Sequence, residues 1–161
     1  MQKKVSENIL DVLKTMEQYE RKIAELYLTC QQIWLVDKEF WTDMTRAEMK
    51  HAQNMNRMVE IISEKPESFT LNPQFRSTAA KTAFWGIEWQ IQRLRKKEIT
   101  KGKMFYIARD VEQSLIESKY NEITETSSIE FQSLMDEIVS DTIAHRDQLN
   151  KKIEEHSNGG K

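Results

Sequence analysis

A carboxylate and an imidazole stand one helical turn apart at Glu48-Met-Lys-His51, a pair that suits a divalent cation or a buried hydrogen-bonded network. What gives the pair interest is its position. Trp41, Met44, Met55, Met58 and Ile62 recur at three- and four-residue steps, and residues 48 and 51 fall on that same apolar stripe. An unpaired buried charge costs several kcal/mol, so groups placed there must pair, hydrogen-bond or bind a metal.

Three other stretches carry a similar interruption. Glu20 lies between Met16 and Ile23 on a stripe that continues through Tyr27 and Cys30. Glu112 falls between Ala108 and Leu115, and His145 between Ile138 and Leu149, with Asp141 and Thr142 one turn before it. Two of the three histidines in the chain therefore occupy expected core positions; His156 is expected in a fraying helix end.

Helices must position these residues. With 4 Gly and 2 Pro in 161 residues, 31% charged residues and many Glu, Lys, Gln, Met and Ala, the composition is that of a helical protein. The periodicity predicts a first helix over Glu7 to Trp34, a break near Val36 to Lys38 with Asp37 as cap, and a second helix over Glu39 to Glu64. Lys65-Pro66 ends that helix, and Ser68 to Pro73 reads as loop. A crossover helix follows over Ser77 to Lys97, then a helix from Lys103 to Thr124. Thr126-Ser127-Ser128 before Glu130 caps a last helix, Ile129 to His156, and the tail from Ser157 is expected to be disordered. Short connections make the first two and the last two main helices antiparallel pairs. The roughly 35 residues between the second and third return along their length. The expected class is all-α, a ferritin-like four-helix bundle with a long helix-containing crossover, in a single domain spanning 1–161 with its core at about 7–156.

The net charge of −2 supplies no global attraction to nucleic acid or an anionic membrane. One cysteine, Cys30, excludes an intramolecular disulfide and any Cys-x-x-Cys metal knuckle, and fits a reducing cytoplasm. No signal-like or membrane-length apolar run is present, so a cytoplasmic location is expected. Phosphate-binding glycine loops, nucleophile elbows and Cys-His catalytic patterns are also missing from the sequence.

In order and helix assignment, Glu20, Glu48-x-x-His51, Glu112 and His145 resemble the ligand set of the ferritin-like di-metal carboxylate proteins. Tyr27, seven residues after Glu20, and Lys38-Glu-Phe-Trp41 ahead of Glu48 resemble the rubrerythrin branch, over about residues 7 to 153 apart from the crossover. The resemblance implies an interior site for one or two iron ions, with Mn or Zn as substitutes, and redox handling of peroxide or dioxygen. It implies Glu20 and His51 as terminal ligands, Glu48 and Glu112 as bridges, and His145 with Asp141 on a second metal. With a single cysteine no rubredoxin-type iron site is expected, so electrons would come from an external donor protein; the largest assembly expected is a homodimer, not a storage cage. The pattern departs from the family at Thr142, where a Glu is expected, and at Leu115, where rubrerythrins carry a further carboxylate. Glu117 is out of phase with Glu112. These departures leave open a metal-free bundle that serves as an interaction or structural module.

Several other residues have ordinary readings. Tyr27 and Tyr120 either hydrogen-bond to interior carboxylates or pack at the boundary, and the Met residues read as core fillers. Trp85 and Trp89 are expected to cap the bundle, with a subunit contact as the alternative. Arg93, Arg95, Lys96, Lys97, Lys101 and Lys103 read as a solvated basic helix end.

Overall fold

The computed structural model describes residues 2–72, 77–118 and 124–159. Helix α1 (Gln2–Ile33) leads through a 3-10 turn (Leu35–Asp37) into α2 (Lys38–Glu64), and a second such turn (Pro66–Ser68) leads to strand β1 (Phe69–Leu71). Helices α3 (Ser77–Arg95) and α4 (Lys101–Glu117), strand β2 (Thr124–Thr126) and α5 (Ile129–Gly159) complete the chain. The all-helical expectation holds, with a small antiparallel sheet added. None of the described helices is long and apolar enough to cross a membrane.

Cross-helix contacts fix the directions. Tyr27 meets Trp41 while Glu20 faces His51, so α1 and α2 are antiparallel. Gln113 accepts from Arg146 and Phe105 meets His156, which makes α4 antiparallel to α5. Phe40 and Trp41 both pack on Phe105, placing the start of α2 beside the start of α4. Lys22 reaches Glu88 and Glu25 accepts from Arg95, so α3 runs parallel to α1 and carries the chain back before α4 begins. This is the connection that the long crossover requires.

The stripes are buried as their period demands. Trp41, Met44, Met55, Met58 and Ile62 are inaccessible or nearly so, as are Met16, Ile23, Tyr27 and Cys30 of α1 and Phe105 and Ala108 of α4. Trp41 stacks on Phe105 at 5.7 Å between ring centroids and lies 5.6 Å from Tyr27, tying three helices together at one end of the interior. Ile33, three residues after Cys30 and in phase with the same stripe, is exposed at the helix end.

The boundaries differ from expectation at several points. Phe69–Leu71, read as loop, pairs antiparallel with Thr124–Thr126 in the register Phe69↔Thr126 and Leu71↔Thr124, and Phe69 packs on Phe131. Thr124, expected at the end of a helix, is therefore in a strand; α4 stops at Glu117, and Tyr120 lies outside the described residues. Asp37 precedes α2, but its carboxylate caps nothing: it pairs with Lys101 at 2.9 Å and Lys152 at 3.3 Å, because those ammonium groups outcompete a backbone N–H. Thr100 caps α4 by accepting from Lys103 N, and Ser128 caps α5 by accepting from Phe131 N. The last helix continues through Ser157 to Gly159, where a disordered tail is expected, and His156 rests against Phe105 within it.

Helix α3 closes without glycine. Lys97 adopts φ 59°, and Glu98 N–H bonds back to Arg93 O at 2.9 Å, the pattern that satisfies the last carbonyls of a helix. Trp85 and Trp89 do not cap the interior; they are 67% and 60% exposed, since Ile87, Ile91 and Leu94 occupy the inward phase of α3.

Candidate metal centre

The helices bring Glu20, Glu48, His51, Glu112 and His145 to one place. Glu20, Glu48, His51 and Glu112 are fully inaccessible, and His145 is 7% exposed. They form two triads that share a member: Glu20 with Glu48 and His51, and Glu48 with Glu112 and His145. In each triad one ligand atom from every residue lies within 4.8 Å of the others. His51 Nδ1 is 3.5 Å from Glu48 Oε2 and 3.9 Å from Glu20 Oε2; His145 Nδ1 is 3.3 Å from Glu48 Oε1 and 3.8 Å from Glu112 Oε2. Each oxygen of Glu48 thus faces a different imidazole, and the two rings lie 6.0 Å apart.

The satisfaction of these groups is what distinguishes the site from an ordinary polar interior. Both oxygens of Glu20, both of Glu48, Glu112 Oε2, His51 Nδ1 and His145 Nδ1 are buried without a hydrogen-bond partner. Buried polar groups are nearly always paired, so seven orphans at one point mark either a missing ligand or a large energetic cost. Their types, carboxylate oxygen and imidazole nitrogen, are those that bind Fe(II), Mn(II) and Zn(II). Two buried Glu/His groups among the described residues could each hold a metal ion.

Two partners hold the ligands from outside. Tyr27 donates its hydroxyl proton to Glu112 Oε1 at 2.6 Å, fixing that carboxylate with Oε2 turned to His145. His51 Nε2 donates to Asp141 Oδ2 at 3.1 Å, which leaves Nδ1 as the ring atom turned toward Glu20 and Glu48. Asp141 is thus placed against His51 on the far side from the triads, not beside His145 as a ligand. Glu112, expected as a second bridge, belongs to one triad only. Thr142, buried one turn before His145, donates its hydroxyl to Ile138 O at 2.7 Å and offers no ligand; Leu115 is buried and apolar, and Glu117 is exposed.

Burial and mutual charge shift the five residues of the two triads. Burial, with the charge of Glu48 added, holds the Glu20 carboxyl well above the carboxylate range. Burial also raises Glu112, to about 7, with Glu48 adding to the rise and His145 and Tyr27 opposing it. Burial raises Glu48 too, but Glu20 and the two imidazoles outweigh it, so this shared carboxylate is held below its ordinary value. For His145 burial lowers the value and the carboxylates of Glu112 and Glu48 outweigh it, leaving the imidazole pushed up to about 10. His51 is raised likewise, against burial, by Glu48 and Asp141. Without a cation, protons take its place among the ligands.

No local signal in the sequence marks Asp141 as the partner of His51, because the contact joins residues 90 apart. No known family model matches the sequence, and neither a curated protein nor a solved structure matches the chain.

Proposed function

We propose that this chain is a ferritin-like, rubrerythrin-type metal protein whose interior site holds one or two iron or manganese ions and handles peroxide or dioxygen. The observation that carries the reading is the set of buried ligand atoms without partners, gathered on four helices around the shared carboxylate of Glu48. The order and direction of α1, α2, α4 and α5, with α3 as the returning crossover, support the ferritin-like arrangement.

Glu20, Glu48 and His51 would hold one ion and Glu48, Glu112 and His145 the other. Iron held there would supply the electrons for reducing peroxide or dioxygen. The chain's own residues bind and orient. Asp141 sets the ring of His51 and raises its basicity; Tyr27 keeps Glu112 turned inward; and the apolar wall of Trp41, Met44 and Met55 excludes bulk water, strengthening every charge interaction inside. Replacement of spent electrons would fall to a separate donor protein in the cytoplasm.

A second reading, a metal-free helical module that kept the fold and lost the chemistry, is favoured by Thr142, which makes the second triad one ligand poorer than the family pattern. Metal retention separates the two. Protein loaded anaerobically with Fe(II) and desalted should keep one to two ions per chain, and Glu48→Ala or His51→Ala should abolish retention. Retention unchanged by both substitutions, or none in the unsubstituted protein, would overturn the proposal.

A further inference from the structure

Helix α3 turns one face to α1 and leaves the other uncovered. Ile87, Ile91 and Leu94 are buried, and Glu88 turns inward to accept from Lys22. The outward phase carries Lys81, Trp85, Trp89 and Lys96, all exposed, with Arg93 lying over the Trp89 ring at 4.7 Å. Gly86 sits beside the indoles with nothing within 4 Å of a Cβ built on it, so the surface between them is open.

An indole is a costly side chain to leave in water, since burying one removes roughly 150–250 Å² of surface. Two of them one helical turn apart, flanked by cations, have the composition of a protein interface centre, where Trp and Arg dominate binding energy. The charge of this face is just as specific. Ser77 to Lys97 contains five Lys and Arg residues and one Glu, on a chain whose net charge is −2, so the remainder is net acidic. Arg93 and Arg95 pair with Glu98 and Glu25, whereas Lys81 and Lys96 pair with no carboxylate among the described residues. The face is a positive island on an acidic molecule.

That distribution selects among occupants. An extended polyanion or anionic bilayer would meet the acidic remainder of the chain as well as the island. A second copy docked face to face would bring Lys81 and Lys96 near the same cations of its mate, and the exposed carboxylate beside them, Glu98, already lies 3.8 Å from Arg93 of its own chain. A protein that brings carboxylates only to the island avoids both costs. We propose that the outward face of α3 docks an acidic protein surface, with Trp85 and Trp89 entering an apolar socket and Lys81, Arg93 and Lys96 pairing with carboxylates around it. This holds whether or not the interior binds metal.

The test uses the full chain and a synthetic amphipathic helix of about 20 residues with Leu on one face and Glu on its flanks. Binding is followed by the anisotropy of a fluorescein-labelled form of this peptide, and in the unsubstituted chain tryptophan emission should shift to the blue because Trp85 and Trp89 leave water. Affinity should fall with added salt, and should drop at least tenfold in Trp85→Ala/Trp89→Ala and in Lys81→Glu/Lys96→Glu, whose circular dichroism melts verify folding. Oligothymidylate and phosphatidylglycerol vesicles are run as competing probes, and molar mass is measured for every variant. No binding of the acidic helix up to about 1 mM, or binding unaffected by both pairs of substitutions, would overturn the proposal. So would tighter binding to DNA or vesicles, or a dimer that the tryptophan substitutions dissolve.

Discussion

Replacing Glu20 by Met should stabilise the metal-free protein and remove most of the stabilisation that metal brings. Both oxygens of Glu20 are inaccessible and make no hydrogen bond of good geometry, and burial raises the carboxyl well above its usual range, so the metal-free protein gains little from it. Leaving one buried polar group unsatisfied costs about 1–3 kcal/mol. Met is close to Glu in volume and fills the same space without a polar atom, so repacking strain is small. The metal-free variant should be more stable by about 1–3 kcal/mol, and for a chain of this size each kcal/mol moves the melting midpoint roughly 2–4 °C. An ion at a hundred times its dissociation constant stabilises the unsubstituted protein by about 2.7 kcal/mol, and with a third of the first triad gone most of that gain should vanish. Calorimetry with chelator and with excess Mn(II) gives both numbers from one preparation. A metal-free melting point that falls on substitution would refute the reasoning, because it would show Glu20 to be a structural hydrogen-bonding group.

Metal affinity should rise with pH. His145, pushed up to about 10, and His51 and Glu20, both raised, hold protons that an entering cation must displace, so binding weakens as pH falls and strengthens toward alkaline pH; titrations at pH 6 and 8, with proton release measured in weakly buffered solution, check the sign. Asp141→Asn should weaken binding about 10–100-fold while leaving the stoichiometry unchanged, because it removes the partner that orients His51 without removing a ligand; equilibrium dialysis against Mn(II) reads both quantities. Thr142→Glu places a fourth carboxylate one turn before His145, so retained iron should reach two ions per chain while the metal-free protein loses about 1–3 kcal/mol to the added buried group; elemental analysis and a chelator melt measure the two effects.

The helical frame was legible because its signals are local. Trp41, Met44, Met55, Met58 and Ile62 repeat with the helical period, and Lys65-Pro66 stops it; all five apolar residues are buried in the structure. The candidate site stood out for the same reason, since Glu20, Glu48, His51, Glu112 and His145 each interrupt a stripe that would otherwise be apolar. What the sequence hid is long-range. β1 and β2 are three residues each, too short for alternation to register, and each exists only because the other lies beside it. Asp37 reads as a cap from its neighbours, yet its partners Lys101 and Lys152 are 64 and 115 residues away, where only the folded arrangement of α4 and α5 can bring them. Trp85 and Trp89 look like core residues by type, but the phase of α3 is set by Ile87, Ile91 and Leu94, which leaves the indoles outside.

The most direct test of an interior metal site is crystallographic. Crystals of protein loaded anaerobically with Fe(II) should give an anomalous difference peak at the iron edge about 2 Å from His51 Nδ1 and in contact with Glu48, with any second peak beside His145 Nδ1 and Glu112. Iron-loaded crystals with no anomalous density among Glu20, Glu48, His51, Glu112 and His145, or with iron held only by surface carboxylates, would contradict it.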